Sequence, residues 1–213
     1  MKRCSLLILL SLVTVVMIAG CPVNASTADL RYNNMIAAGG PGMYEKIIDT
    51  SDQTLKKNPG DSKAWINKAR ALNGLEKYEE AIEAYDQALK IDPKQGYTWY
   101  LKGAVLNDIG MYEEAIVTFD QALNITPKQA YAWYNKGLAL YNLSKYDEAI
   151  EAYDQALKIY PTKEDFLSDK GTALSALEKY EEAIEAYDKA LKKDPKLASA
   201  LRGRDFALSK IEK

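Results

Sequence analysis

Histidine is absent from this 213-residue chain, and its two cysteines, Cys4 and Cys21, both fall near the N-terminus. The commonest general base and the usual nitrogen and sulfur ligands for zinc are therefore missing from residues 22–213. No disulfide framework can form there either. Pro and Gly are few, at 7 and 12, which leaves little material for long irregular loops. Only 3 Phe stand beside 15 Tyr and 3 Trp, so the aromatic content is amphipathic and suits half-buried surfaces. A basic excess is lacking too: 28 Lys and Arg face 30 Asp and Glu. Loss of the first twenty residues would remove Lys2 and Arg3 and no acid, making the balance more acidic still. That excludes the net basic face on which nucleic-acid binding draws. With no glycine-rich phosphate loop and no lone nucleophile motif, the sequence reads as a non-enzyme that needs no cofactor and no metal.

What is present begins with an address. Lys2 and Arg3 precede an apolar run from Leu6 to Ala19, shorter than the ~20 residues that span a bilayer. A positive start, a short apolar stretch and small residues at its end make a secretory signal over residues 1–20. Ile18-Ala19-Gly20-Cys21 resembles the lipobox of prokaryotic lipoproteins. The resemblance implies cleavage before Cys21, a diacylglyceryl group on its thiol and an extracytoplasmic life on a cell membrane or envelope. More than one acyl chain gives stable anchoring where one gives marginal binding. Ordinary cleavage near Ala25 and an uncleaved signal anchor are the alternatives. Residues 21–43, with the Gly39-Gly40-Pro41-Gly42 break, read as a lipidated N-terminus and flexible tether.

From residue 62 the chain is written in units of 34. Trp65, Trp99, Trp133, Leu167 and Leu201 keep that interval, as do Ala81, Ala115, Ala149 and Ala183, and Pro93, Pro127, Pro161 and Pro195. Repetition at a fixed interval of this size marks a stacked-repeat architecture. Within a unit, Tyr78, Ala81, Ile82, Tyr85, Ala88 and Leu89 share one helical face, and Glu79, Glu80, Glu83, Asp86 and Lys90 lie off it. Asp86/Lys90, Asp154/Lys158 and Asp188/Lys192 are spaced for pairs within the helix. A first helix carries Trp65, Ala69 and Leu72 and ends near Asn73-Gly74; Pro93 closes the unit. Ala69, Gly103, Gly137 and Gly171 recur where the two helices must approach, with the tryptophans expected to fill the space beside them.

Trp99, Gly103, Ala115, Phe119, Ala122 and Pro127, then Trp133, Gly137, Ala149, Tyr153, Ala156 and Pro161, resemble the signature of the tetratricopeptide repeat. The resemblance implies an all-α, right-handed αα superhelix: four full units at 62–95, 96–129, 130–163 and 164–197. A degenerate half-repeat at 44–61 precedes them and a capping helix at 198–213 follows, about ten helices in all. Lys68, Lys102, Lys136 and Lys170 stand where the family more often has Leu, and their stems are expected to cover apolar surface with the ammonium in water. Asp205, in the slot of Gly171, predicts a polar cap.

In that family the first helices line a concave groove that holds a peptide. Helical spacing then assigns Asn67, Arg70, Tyr97, Tyr100, Asn107, Tyr131, Tyr134, Asn135 and Tyr141 to the groove. Tyrosine joins contact area to a polar tip, and asparagine can hold backbone amides. Asp165, Ser168, Asp169, Thr172 and Ser175 face it from the fourth unit. The same Trp-Tyr positions are also ordinary packing composition, so Tyr100 and Tyr134 have both readings. Asn67 and Arg70 suggest part of a carboxylate clamp, but Tyr100, Leu101, Asp165 and Asp169 do not supply its other cations. The expected function is that of a membrane-anchored scaffold or adaptor that binds a protein or peptide and organises an envelope complex. A self-assembling structural lipoprotein is the alternative.

Overall fold

The computed structural model describes residues 41–212; the signal, Cys21 and most of the tether lie outside the described residues. Ten helices follow one another: α1 (Pro41–Lys57), α2 (Ser62–Gly74), α3 (Tyr78–Ile91), α4 (Gly96–Asp108), α5 (Tyr112–Ile125), α6 (Ala130–Asn142), α7 (Tyr146–Ile159), α8 (Glu164–Ala176), α9 (Tyr180–Lys193) and α10 (Ala198–Ile211). No strand accompanies them among the described residues. The hairpins α2–α3, α4–α5, α6–α7 and α8–α9 are the four expected units. Helix α1 begins at Pro41, three residues before the expected start; proline suits a first helical turn, where its missing N–H has no partner to lose. No helix of the described residues is long and apolar enough to cross a membrane.

Each hairpin closes on the same turn. Glu76, Gly110, Ser144 and Glu178, 34 residues apart, all take left-handed backbone, with φ of 58°, 80°, 60° and 60°. The next N–H then reaches back across the turn: Lys77 to the Leu72 carbonyl, Met111 to Leu106, Lys145 to Leu140 and Lys179 to Leu174. This satisfies first-helix carbonyls that the helix cannot pair itself.

Inside the hairpin the glycines bring the second-helix aromatic ring close to the first-helix backbone. A Cβ on Gly103 would lie 2.7 Å from the Phe119 ring, on Gly137 2.6 Å from Tyr153 and on Gly171 2.8 Å from Tyr187. Phe119, Tyr153 and Tyr187 are almost wholly buried. The space beside the small residues is thus filled by the second-helix aromatic, and the expectation that tryptophan fills it is corrected. Trp65, Trp99 and Trp133 instead lock the junction between units. Their indole N–H groups donate to the carbonyls of Pro59, Pro93 and Pro127 at 3.0, 2.9 and 3.0 Å.

A ladder of ion pairs crosses the same junctions. Lys68, Lys102, Lys136 and Lys170 bind Asp52, Asp86, Asp120 and Asp154 of the preceding second helix at 2.7, 2.5, 2.6 and 2.6 Å. Arg204 continues the series to Asp188 at 2.5 Å. Two expectations are corrected here: the lysine ammonium groups are paired rather than left to water, and Asp86, Asp154 and Asp188 reach to the next hairpin, not to Lys90, Lys158 and Lys192. An exposed lysine one turn away on the same helix offers little in water, whereas the junction offers a half-buried cation.

Each second helix packs on the following first helix, and successive first helices (α4 on α6, α6 on α8, α8 on α10) also touch one another. The first helices are therefore the inner layer of the solenoid. At its end Asp205 is exposed as expected of a cap, but so are Leu201, Phe206 and Ile211, which makes α10 more apolar than a polar cap.

Candidate functional site

The inner face is built by side chains that lean from one first helix onto the next. The side chain of Asn135, on α6, stands against the Tyr100 hydroxyl of α4. One unit later, Tyr134 of α6 donates its hydroxyl to Oδ2 of Asp169 on α8 at 2.6 Å. Ser168 of α8 meets Ser199 of α10, hydroxyl to hydroxyl, at 2.9 Å. These contacts fix the floor of the groove before any ligand arrives.

Aromatic rings cluster over α6 and α8. Tyr134 stacks on Phe166 with centroids 4.4 Å apart, and Tyr131 meets Phe166 edge-on at 5.5 Å. Tyr97 stacks on Tyr100 at 5.9 Å, and Tyr141 lies 5.3 Å from Tyr146. Burial pushes the hydroxyls of Tyr100 and Tyr134 well above the ordinary tyrosine range. The packing reading of both is what the structure shows: each is largely buried against its neighbours. Tyr97, Tyr131 and Tyr141 are half-buried at the rim.

Polar atoms without partners lie along the same face. Asn73 Oδ1, Asn107 Oδ1 and Ser175 Oγ are buried and carry no hydrogen bond. They share one register position, which Tyr141 occupies in the third unit. Asn135 and Asn142 are partly spent, donating to the carbonyls of Tyr131 and Leu138 at 2.8 and 3.0 Å. Asn67 and Arg70 are half-buried on α2, toward the other end of the groove.

Asp169 is the most unusual group. Burial raises its carboxyl pKa, the Tyr134 hydroxyl lowers it, and the neighbouring Asp165 raises it further. Asp165 itself has Lys163 at 3.2 Å, whereas Asp169 joins none of the ion pairs among the described residues. A desolvated carboxylate with one oxygen bonded to tyrosine and the other unbonded favours a donor or cation from outside.

Phe166, buried beneath the groove tyrosines, was not singled out by helical spacing. The sequence did carry a signal for it: its slot holds Ala64, Thr98, Ala132 and Ala200 in the other units. The lone large ring is what joins Tyr131 and Tyr134 into one cluster.

The tetratricopeptide-repeat profile matches residues 62–95, 130–163 and 165–197, and related profiles of the same repeat match 84–117 and 103–144. The chain belongs to the tetratricopeptide-repeat family. The all-helical solenoid is that family's fold, and solved structures resemble it along most of its length. MamA from Desulfovibrio magneticus is 22% identical with a TM-score of 0.70, covering 79% of this chain and 94% of that one. YrrB, a TPR protein with an unusual peptide-binding site, is 22% identical with a TM-score of 0.70, covering 82% and 88%. The first TPR of Spaghetti (RPAP3), bound to an HSP90 peptide, is 23% identical with a TM-score of 0.55, covering 57% and 97%. At such identity the likeness is one of fold. No curated protein sequence matches the chain.

Proposed function

We propose that this tetratricopeptide-repeat chain is a protein-binding scaffold whose concave face holds an extended segment of a partner, with a cationic side chain of that segment seated on Asp169. The observation that carries the reading is the Tyr134–Asp169 pair, a desolvated carboxylate beside the stacked rings of Tyr134 and Phe166. A carboxylate with no cation of its own is the chemistry that favours Lys or Arg. YrrB and the Spaghetti repeat, each described with a peptide site or a bound peptide, support peptide binding as a use of this architecture. Catalysis has no support in a chain without histidine and with no cysteine after residue 21.

The lipobox-like Ile18-Ala19-Gly20-Cys21 supports placing the scaffold on the extracytoplasmic face of a prokaryotic membrane, anchored through lipid on Cys21, where it would organise an envelope complex. Changing Cys21→Ser tests the anchor: a lipoprotein leaves the membrane fraction, and a signal anchor stays. The groove is tested by affinity capture from solubilised envelope with the wild-type chain and with Ala104→Arg, which places a long side chain on α4 one turn from Tyr100 and crowds the face. A partner retained by the first and lost by the second supports the reading; equal capture by both refutes it. Self-assembly is favoured by one feature, the exposed Leu201, Phe206 and Ile211 of α10. A sedimentation coefficient that rises with protein concentration and falls back in Phe206→Ser would support that second reading.

A further inference from the structure

The three indoles of this protein show what the fourth junction lacks. At the first three, a tryptophan lies in the notch between one unit and the next and bonds the proline carbonyl six residues before it. Lysine ammonium groups stand 5.6 Å from the ring centroids at Trp65 and Trp133. At the fourth junction the residue is Leu167. Everything else is kept: Pro161 is in place, and Lys170 binds Asp154 at 2.6 Å as Lys136 binds Asp120. Leucine is shorter and has no N–H, so no indole reaches the Pro161 carbonyl.

The difference leaves a hollow. Over Leu167 the notch has about 690 Å³ of open space. Leu167 is the buried floor, Leu157 and Pro161 are apolar walls, and Glu151, Lys170 and Lys189 stand around the mouth. Helix α7 walls one side and α9 the other. At Leu201, where the same swap recurs, α10 is the last helix among the described residues, and the residue is exposed.

We propose that the Leu167 hollow is a binding site for an indole side chain, the tryptophan of a partner protein or peptide. The incoming ring packs on Leu167 and Leu157, its N–H donates to the Pro161 carbonyl, and the Lys170 ammonium lies over its face as Lys136 lies over Trp133. The site is on the outer side of the solenoid, where the second helices lie, and is independent of the groove. It gives the scaffold a second point of engagement, selective for an aromatic group that also donates a hydrogen bond.

The test uses the full-length chain in detergent with N-acetyl-5-fluorotryptophanamide as the probe, followed by fluorine NMR titration. Leu167→Trp supplies the missing indole from within, and Leu167→Phe is a second, smaller filler. The variant that keeps wild-type helicity is the one compared. Binding to the wild type that weakens at least ten-fold in the filled variant supports the site. Methylation of the probe's indole nitrogen should weaken it about five-fold, the loss of one hydrogen bond. Equal binding to wild type and filled variant, no binding to either, or no effect of methylation would overturn the proposal.

Discussion

Asp169 accepts the Tyr134 hydroxyl at 2.6 Å with one oxygen, and no cation pairs with its charge among the described residues. The cost of that arrangement depends on pH. Burial is the largest cause of the shift, and it raises the folded-state pKa of the carboxyl. The folded protein thus holds this proton more tightly than the unfolded chain, and stability falls as pH rises from the ordinary aspartate range through the folded value. Asp169→Asn keeps an oxygen for Tyr134 and removes the charge. It should raise Tm at pH 7 and change it little at pH 3.5. Thermal melts at the two pH values check this. The same variant should lose a Lys- or Arg-bearing peptide ligand, so stability and binding move in opposite directions.

The ladder of ion pairs should behave as a set of modest, separable couplings. Lys136 and Asp120 are 20% and 45% exposed, too open to water for a large effect. A double-mutant cycle with Lys136→Ala and Asp120→Ala should give a coupling of about 0.5–1 kcal/mol. The coupling should shrink in 1 M NaCl, where screening acts within about 3 Å. Urea denaturation of the four proteins measures it.

Gly137→Ala sets helix propensity against packing. Alanine in place of a helical glycine is worth up to about 1 kcal/mol to the helix. The new methyl would sit 2.6 Å from the buried Tyr153 ring, so that ring or a helix must move. Overpacking of this kind costs about 1–3 kcal/mol. The substitution should therefore lower stability, and Tyr153→Leu in the same chain should recover part of the loss. Had the glycine been kept for flexibility alone, the alanine would stabilise.

The hairpin turns predict a gain. Glu178 has φ of 60°, where a residue with a Cβ is strained by roughly 1–2 kcal/mol and glycine is not. Glu178→Gly should stabilise the protein by about 0.5–1 kcal/mol, the extra entropy of the unfolded glycine offsetting part of the relief. Gly110→Ala, the reverse change at φ of 80°, should destabilise. Chemical denaturation of both variants decides the sign.

The helices were legible because a 34-residue period repeats every local choice several times, so that a face, a cap and a small-residue slot each stand out from noise. The partners of those residues were less so. Asp86 is as well spaced for Lys90 as for anything else along the chain, and only the closed junction brings Lys102 to 2.5 Å. The left-handed turn residues were hidden because three of the four are Glu or Ser, which do not announce positive φ. In the groove, spacing placed the tyrosines, but it could not say that Tyr134 would turn its hydroxyl to Asp169. That depends on how one unit sits on the next. Phe166 and Leu167 were visible as departures from the pattern, and their effects, a joined ring cluster and an unfilled notch, are properties of volume rather than of sequence.

Because the Lys–Asp bridge is drawn between adjoining units and repeats at four junctions, with Arg204–Asp188 at the fifth, each of these seams offers the same pairing of charge. A further 34-residue module of the same pattern, inserted between the second and third, would find its cation, its carboxylate and its proline carbonyl already waiting on either side. Lineages of such chains can therefore change length by whole modules without reinventing a single contact, while the fourth junction, where leucine replaces tryptophan, marks the one internal place whose position in the series is not interchangeable.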